Sequence, residues 1–181
     1  VLLTEKRQVF GQFSISPSGE KVAVEIVDNQ LYSINIFDIK RGRFSSFSNS
    51  KHNYAPFWGA DGGNIYYTSN RKDPTEFGLF IYDFDQQKEK EIVLDGETMG
   101  EISVSDVSMD GKKLLCFGQQ KGTGLGELYF VDISERRLHP LTKNRFLEWG
   151  GVFSPDEKWL AYTSEKDMEG SFAIYLNRFP E

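Results

Sequence analysis

Reactive side chains are scarce in this sequence of 181 residues, which holds one cysteine, Cys116, and two histidines, His52 and His139. A lone cysteine cannot close an internal disulfide, so no cystine framework holds the chain, and the compartment stays open because exported proteins also do without disulfides. Clusters of Cys and His with metal-ligand spacing are absent, so neither a metal nor a cofactor is expected. No Gly-x-Ser-x-Gly elbow occurs, so a hydrolase active site would have to lie outside this chain. No run approaches the roughly 18 apolar residues of a membrane span. Basic excess is missing as well. With 21 basic against 27 acidic residues the net charge is −6, a field that repels phosphate backbones and anionic lipid and argues against nucleic acid and membrane insertion. Val1 stands where an initiator methionine would, which leads to the expectation of a processed product or an excised fragment.

What the sequence does have is a phrase that returns four times: Ser16-Pro17-Ser18-Gly19-Glu20, Gly59-Ala60-Asp61-Gly62-Gly63, Ser108-Met109-Asp110-Gly111-Lys112 and Ser154-Pro155-Asp156-Glu157-Lys158. The fourth residues are 43, 49 and 46 apart, the period of an array of four-stranded sheets. Glycine at the fourth position tolerates positive φ, and Ser or Asp can bond its own backbone two residues on, so the phrase reads as a tight turn.

Strand signals flank each turn. Val22, Ile65, Leu114 and Leu160 follow three residues after the aligned position, and Val24, Tyr67, Cys116 and Tyr162 follow five after it, which is period-two alternation. Cys116 therefore reads as an inert packing residue. A second strand ends at Asp38, Asp83, Asp132 or Asn177 and is apolar on both faces, as a sheet covered on each side requires. Short strands before each turn, such as Phe13-Ser14-Ile15 and Gly151-Val152-Phe153, suit crowding toward a common axis. The polar run Gln86 to Glu91 occupies the slot of an outer strand. The fold class expected is all-β: a β-propeller of four-stranded antiparallel blades, four repeats in this chain at about 1–40, 41–85, 86–134 and 135–181, possible as part of a larger ring. Leu3-Thr4 and Leu141-Thr142 each lie 15 residues before their turn position, so the N-terminal strand could complete the last blade and seal a ring.

The stretch Ser154 to Ser164, followed by Ala173-Ile174-Tyr175-Leu176-Asn177-Arg178-Phe179-Pro180, resembles the Ser-Pro-Asp-Gly, or WD-like, repeat of TolB-type β-propellers, and the resemblance covers all four repeats. Similar lines occur in bacterial proteins that carry such propellers beside kinase or transcription-regulator domains. The pattern is departed from at Gly59-Ala60, Met109 and Glu157. The resemblance implies protein binding and scaffolding, or substrate admission where a propeller precedes a prolyl-oligopeptidase-like serine hydrolase domain. It leaves bacterial periplasm and cytoplasm both open.

The residues themselves offer a rim. Phe10, Tyr54, Ile102 and Trp149 come eight or nine positions before the aligned turn residue, near where each inner strand begins, and the fold would gather those starts around one mouth of the central channel. With Arg71, Arg145 and Glu148 on neighbouring loops they form the candidate partner-binding surface, large amphipathic side chains being good contact anchors. Plugging the channel is the other role open to them, since aromatics also dominate cores. Turn formation accounts for Asp61, Asp110 and Asp156. Gly122-Thr123-Gly124-Leu125-Gly126 lacks the Lys-Ser/Thr and helix of a phosphate loop and reads as a hairpin. The function expected is a non-catalytic protein- or peptide-binding scaffold, its ring completed by further blades or a second copy. The alternative is an accessory propeller gating substrate for a serine peptidase whose catalytic domain lies elsewhere.

Overall fold

The computed structural model describes residues 9–46, 52–94, 99–122, 126–142, 146–167 and 170–179. Among them are fifteen β-strands and no helix. The first sheet is a meander of β1 (Val9–Ile15), β2 (Lys21–Asp28), β3 (Leu31–Asp38) and β4 (Arg43–Ser46). The second holds β5 (Asn53–Trp58), β6 (Asn64–Asp73), β7 (Glu76–Asp83) and β8 (Lys88–Ile92). The third holds β9 (Met99–Val107), β10 (Lys113–Gln120), β11 (Gly126–Asp132) and β12 (Arg137–Pro140). The fourth has three strands, β13 (Glu148–Phe153), β14 (Trp159–Ser164) and β15 (Ala173–Arg178). All pairings are antiparallel, and the sheets are the blades of a propeller. β4, β8 and β12 fall just past residues 40, 85 and 134, so each of these sheets takes its outermost strand from the start of the following repeat.

The repeated phrase works as a turn through three kinds of hydrogen bond. The backbone N–H of Gly19, Gly62, Gly111 and Glu157 each donates to the carbonyl three residues earlier at 2.8–3.0 Å. The hydroxyls of Ser16, Ser108 and Ser154 accept the N–H of Lys21, Lys113 and Trp159 at 3.0, 2.9 and 3.0 Å. Asp110 and Asp156 each accept both the serine hydroxyl, at 2.8 and 2.6 Å, and the backbone N–H two residues on, at 3.0 and 3.2 Å. The fourth position is left-handed throughout, with φ of 70°, 73° and 70° at the glycines and 55° at Glu157.

The cores lie between sheets. Ala23, Ile34 and Ile36 of the first sheet pack with Trp58, Ile65, Tyr67 and Phe80 of the second. Tyr66, Leu79 and Ile92 pack with Ile102, Val104, Leu114, Cys116 and Tyr129 of the third. Leu115 and Leu128 pack with Leu160 and Tyr162 of the fourth. Burial raises the Cys116 thiol far above its ordinary value, which keeps it protonated and inert. Among the described residues no strand of the first sheet contacts a strand of the fourth, so the described parts of the four blades form an open arc. The Leu3-Thr4 segment expected to close the ring lies outside the described residues.

One alignment slips. Lys21, Asn64 and Lys113 pair with Asp38, Asp83 and Asp132, whereas their counterpart Trp159 pairs with Arg178 and not with Asn177. In a strand a one-residue slip exchanges the faces, so Ile174 and Leu176 are the counterparts of Ile34 and Ile36. The three aspartates accept N–H groups of the next turn, from Arg41, Gln86 and Ser134 at 2.8, 2.8 and 2.9 Å. That role explains their recurrence.

Candidate functional site: the concave face of the inner strands

The innermost strands β1, β5, β9 and β13 line one open concavity of about 800 Å³. Gln12 and Phe13 come from β1, Pro56 and Phe57 from β5, Glu101, Ser103 and Ser105 from β9, and Trp149 and Gly150 from β13, with Phe117 and Thr163 from the strands behind. Four aromatic rings, several hydroxyls and one carboxylate face it, and among the described residues no Lys or Arg lines it. Such a surface offers apolar area with scattered polar handles, the mixture that orients a bound chain.

The inner strands β5 and β13 are tied to the preceding blade by side chains that accept their backbone N–H groups across the blade boundary. Ser14 Oγ accepts the Trp58 N–H at 3.1 Å, Glu25 Oε2 accepts the Ala55 N–H at 3.0 Å, and Asp106 Oδ2 accepts the Phe153 N–H at 2.7 Å. Inner-strand N–H groups that have no partner in their own sheet are satisfied this way. Burial raises both carboxyls, Glu25 against the Ala55 N–H that lowers it, and Asp106 against the N–H groups of Phe153 and Val107. At Gly11 an added Cβ would overlap the Glu25 carboxylate, so the glycine makes room for that tie.

The expected site residues are placed unevenly. Trp149 lines the concavity, is 49% exposed, and rests on Phe172 with ring centroids 5.5 Å apart. Phe10 is also exposed, at the start of β1. Tyr54 leans on Tyr32 and Phe77 at 4.6 and 5.5 Å and donates from its hydroxyl to Asn70 at 3.4 Å. Ile102 and Glu148 are buried, so their side chains present no surface to a partner. Arg71 is engaged within its own sheet: it pairs with Glu89, donates to Asn53 at 2.8 Å and Tyr67 at 3.1 Å, and lies 4.4 Å over the Phe80 ring. Arg145 lies outside the described residues.

Phe13, Phe57, Phe117, Glu101 and Ser103 join the lining without having been expected there. Bulges between Phe10 and Phe13 and between Tyr54 and Phe57 shift the inner-strand alternation and turn Phe13 and Phe57 toward the cavity, whereas β13, bulged between Trp149 and Val152, keeps Trp149 in the lining. Glycines inside strand patterns, Gly11 and the Gly150-Gly151 pair, are the sequence signal for the bulges in β1 and β13. Neither histidine sits in the concavity. His139 stacks on Phe130 at 4.5 Å with Glu135 3.7 Å away.

No protein-family model and no curated protein sequence matches the chain. Solved structures share its fold. TolB from Acinetobacter baumannii superposes with a TM-score of 0.79 at 16% identity, over 97% of this chain and 42% of that one. An oligogalacturonate lyase in complex with manganese gives 0.69 at 18% identity, over 100% and 51%. A prolyl endopeptidase gives 0.60 at 18%, over 93% and 26%. The chain thus has the TolB-like β-propeller fold and spans less than two thirds of the length of these proteins. Their functions differ, so the likeness assigns the fold and leaves the role to the site.

Proposed function

We propose that this chain is a non-catalytic scaffold that holds a protein segment or peptide in the concavity between β1, β5, β9 and β13. One observation carries the reading: β1, β5, β10 and β13 contribute Phe13, Phe57, Phe117 and Trp149 to a single open surface that also presents Gln12, Ser103, Thr163 and Glu101. Rigid aromatic anchors supply contact area at little entropic cost, and the polar groups between them fix register. The Glu101 carboxylate among the rings favours an apolar occupant that carries a basic group. The test is capture of peptides from a displayed random library by the wild-type chain and by Trp149→Ala. Loss of capture with an unchanged melting temperature supports the reading, because the ring is half exposed and its removal opens no core cavity. Equal capture by both proteins contradicts it.

The likeness to a prolyl endopeptidase favours one second reading, in which the same concavity admits substrate to a serine peptidase domain. A Gly-x-Ser-x-Gly domain in the same polypeptide, together with peptide cleavage altered by Trp149→Ala, would select it over the scaffold.

A further inference from the structure

The four repeated turns meet across the blade boundaries in one way, the second residue of a turn facing the fourth residue of the next. At the first boundary an added Cβ at Gly62 would lie 3.5 Å from Pro17 Cδ. At the third the Met109 N–H donates to the Glu157 carboxylate. At the second boundary the same places hold Ala60 and Gly111, which are too small to meet, and a cleft of about 350 Å³ opens there. An added Cβ at Gly111 would find nothing within 4 Å. Asp61 from one turn, Asp110 from the other, and Asn64 and Tyr66 of β6 or its start line this cleft, and among the described residues no Lys or Arg does. The turns use one oxygen of each carboxylate: Asp61 Oδ1 accepts the Gly63 N–H at 2.8 Å, and Asp110 Oδ1 accepts the Ser108 hydroxyl at 2.8 Å and the Lys112 N–H at 3.0 Å. Near the second Asp110 oxygen stands only the exposed Lys112 ammonium, 3.7 Å away. Asn64 Oδ1 is buried without a hydrogen-bond partner. It lies 2.0 Å from where a Cβ at Gly59 would stand, so the glycine that replaces the serine of the other three turns makes room for this oxygen. Tyr66 is 3% exposed, and its hydroxyl has no partner among the described residues. Burial pushes that hydroxyl up to about 12, and the nearby Asp61 charge adds to the rise.

We propose that this cleft receives the cationic end of a lysine or arginine side chain from a protein partner, with Asp61 and Asp110 supplying charge and Asn64 Oδ1 and the Tyr66 hydroxyl accepting N–H groups. The cleft shares no lining residue with the concavity, so this role stands apart from the peptide-binding reading. Every polar group in it can accept, and an ammonium or guanidinium has only donors. Two carboxylates, each with one oxygen already bonded, fall short of the six to eight oxygens that a calcium ion takes. Ala60 and the exposed Met109 add apolar wall, which suits the methylene stem behind a cationic head. Charge-assisted hydrogen bonds to a carboxylate are the strong kind, and the net charge of −6 draws basic partners toward the molecule.

The experiment is a backbone-amide NMR titration of the whole chain with an acetylated and amidated Gly-Lys-Gly peptide, its arginine and norleucine analogues, and calcium chloride. Expected are saturable shifts at Asp61, Asn64 and Asp110 with the lysine or arginine peptide, and none with norleucine, which keeps the stem and lacks the charge. Asp61→Asn retains an acceptor for the Gly63 N–H and is expected to weaken binding about tenfold. Tyr66→Phe keeps the buried ring and is expected to weaken binding about threefold without lowering the melting temperature, because the hydroxyl it removes is unpaired. A lower melting temperature with unchanged affinity would overturn the role given to that hydroxyl. Equal shifts with norleucine, or no shifts at these three residues, would overturn the proposal. Calcium producing the same shifts at lower concentration than either peptide would overturn it in favour of a metal site. Shifts confined to the concavity would overturn it while leaving the peptide-binding reading in place.

Discussion

Asp106 on β9 accepts the backbone N–H of Phe153 on β13 at 2.7 Å through one carboxylate oxygen while its other oxygen accepts the N–H of Val107 at 2.8 Å. One side chain thereby joins the third blade to the fourth and caps its own strand. Both partners are donors, so an amide in place of the carboxylate turns an NH2 group toward one of them. Asp106→Asn is expected to cost about 1–3 kcal/mol, read as a lower urea midpoint with an unchanged m-value. A midpoint within error of wild type would show that the tie is not needed.

Glu25 makes the analogous tie between the first two blades but accepts a single N–H, that of Ala55. Glutamine keeps an acceptor oxygen for it, so Glu25→Gln is expected to fold well. Burial holds the folded carboxyl above its ordinary value of 4.5, so the folded state binds the proton more tightly than the unfolded chain does. Its contribution to stability is therefore full below pH 4.5 and is lost as the pH rises through the folded value. Removing the ionisation removes that decline. The difference in melting temperature, Glu25→Gln minus wild type, is expected to grow as pH is raised from about 4 to 7, and a constant difference would contradict the assignment. Gly11→Ala, whose methyl group overlaps the same carboxylate, is expected to destabilise by about 1–3 kcal/mol.

Glu157 occupies a left-handed turn position that the other three repeats give to glycine, and its carboxylate accepts the N–H of Met109 on the neighbouring turn. Glu157→Gly exchanges backbone strain of about 1 kcal/mol for loss of an exposed bond of similar size, so its melting temperature is expected to stay near that of wild type. Glu157→Ala keeps the strain and loses the bond, and is expected to cost about 1 kcal/mol. Equal melting temperatures for the two variants would show that the left-handed backbone there is not strained.

The blades were legible because the turn chemistry is local: Ser108, Asp110 and Gly111 bond one another within six residues, and Lys88–Ile92 forms the outer strand that its slot implied. The last strand was misaligned by one because Asn177 resembles the closing aspartates while the ladder gives that place to Arg178. The site was less legible for two reasons. Bulges in the inner strands are set by pairing across the sheet, so they turned Phe13 and Phe57 inward where alternation pointed to Phe10 and Tyr54. Arg71 looked available because its carboxylate, Glu89, lies 18 residues away on another strand. Nothing in the pattern of β15 distinguishes it from β3 or β7, since exposure of Ile174 depends on whether a blade follows.

Backbone hydrogen exchange, measured with and without a captured peptide, tests the central claim most directly. Binding in the concavity predicts slowed exchange concentrated in β1, β5, β9 and β13, with β4, β8 and β12 unchanged. Protection confined to the outer strands or to the Ser108 and Ser154 turns would contradict it.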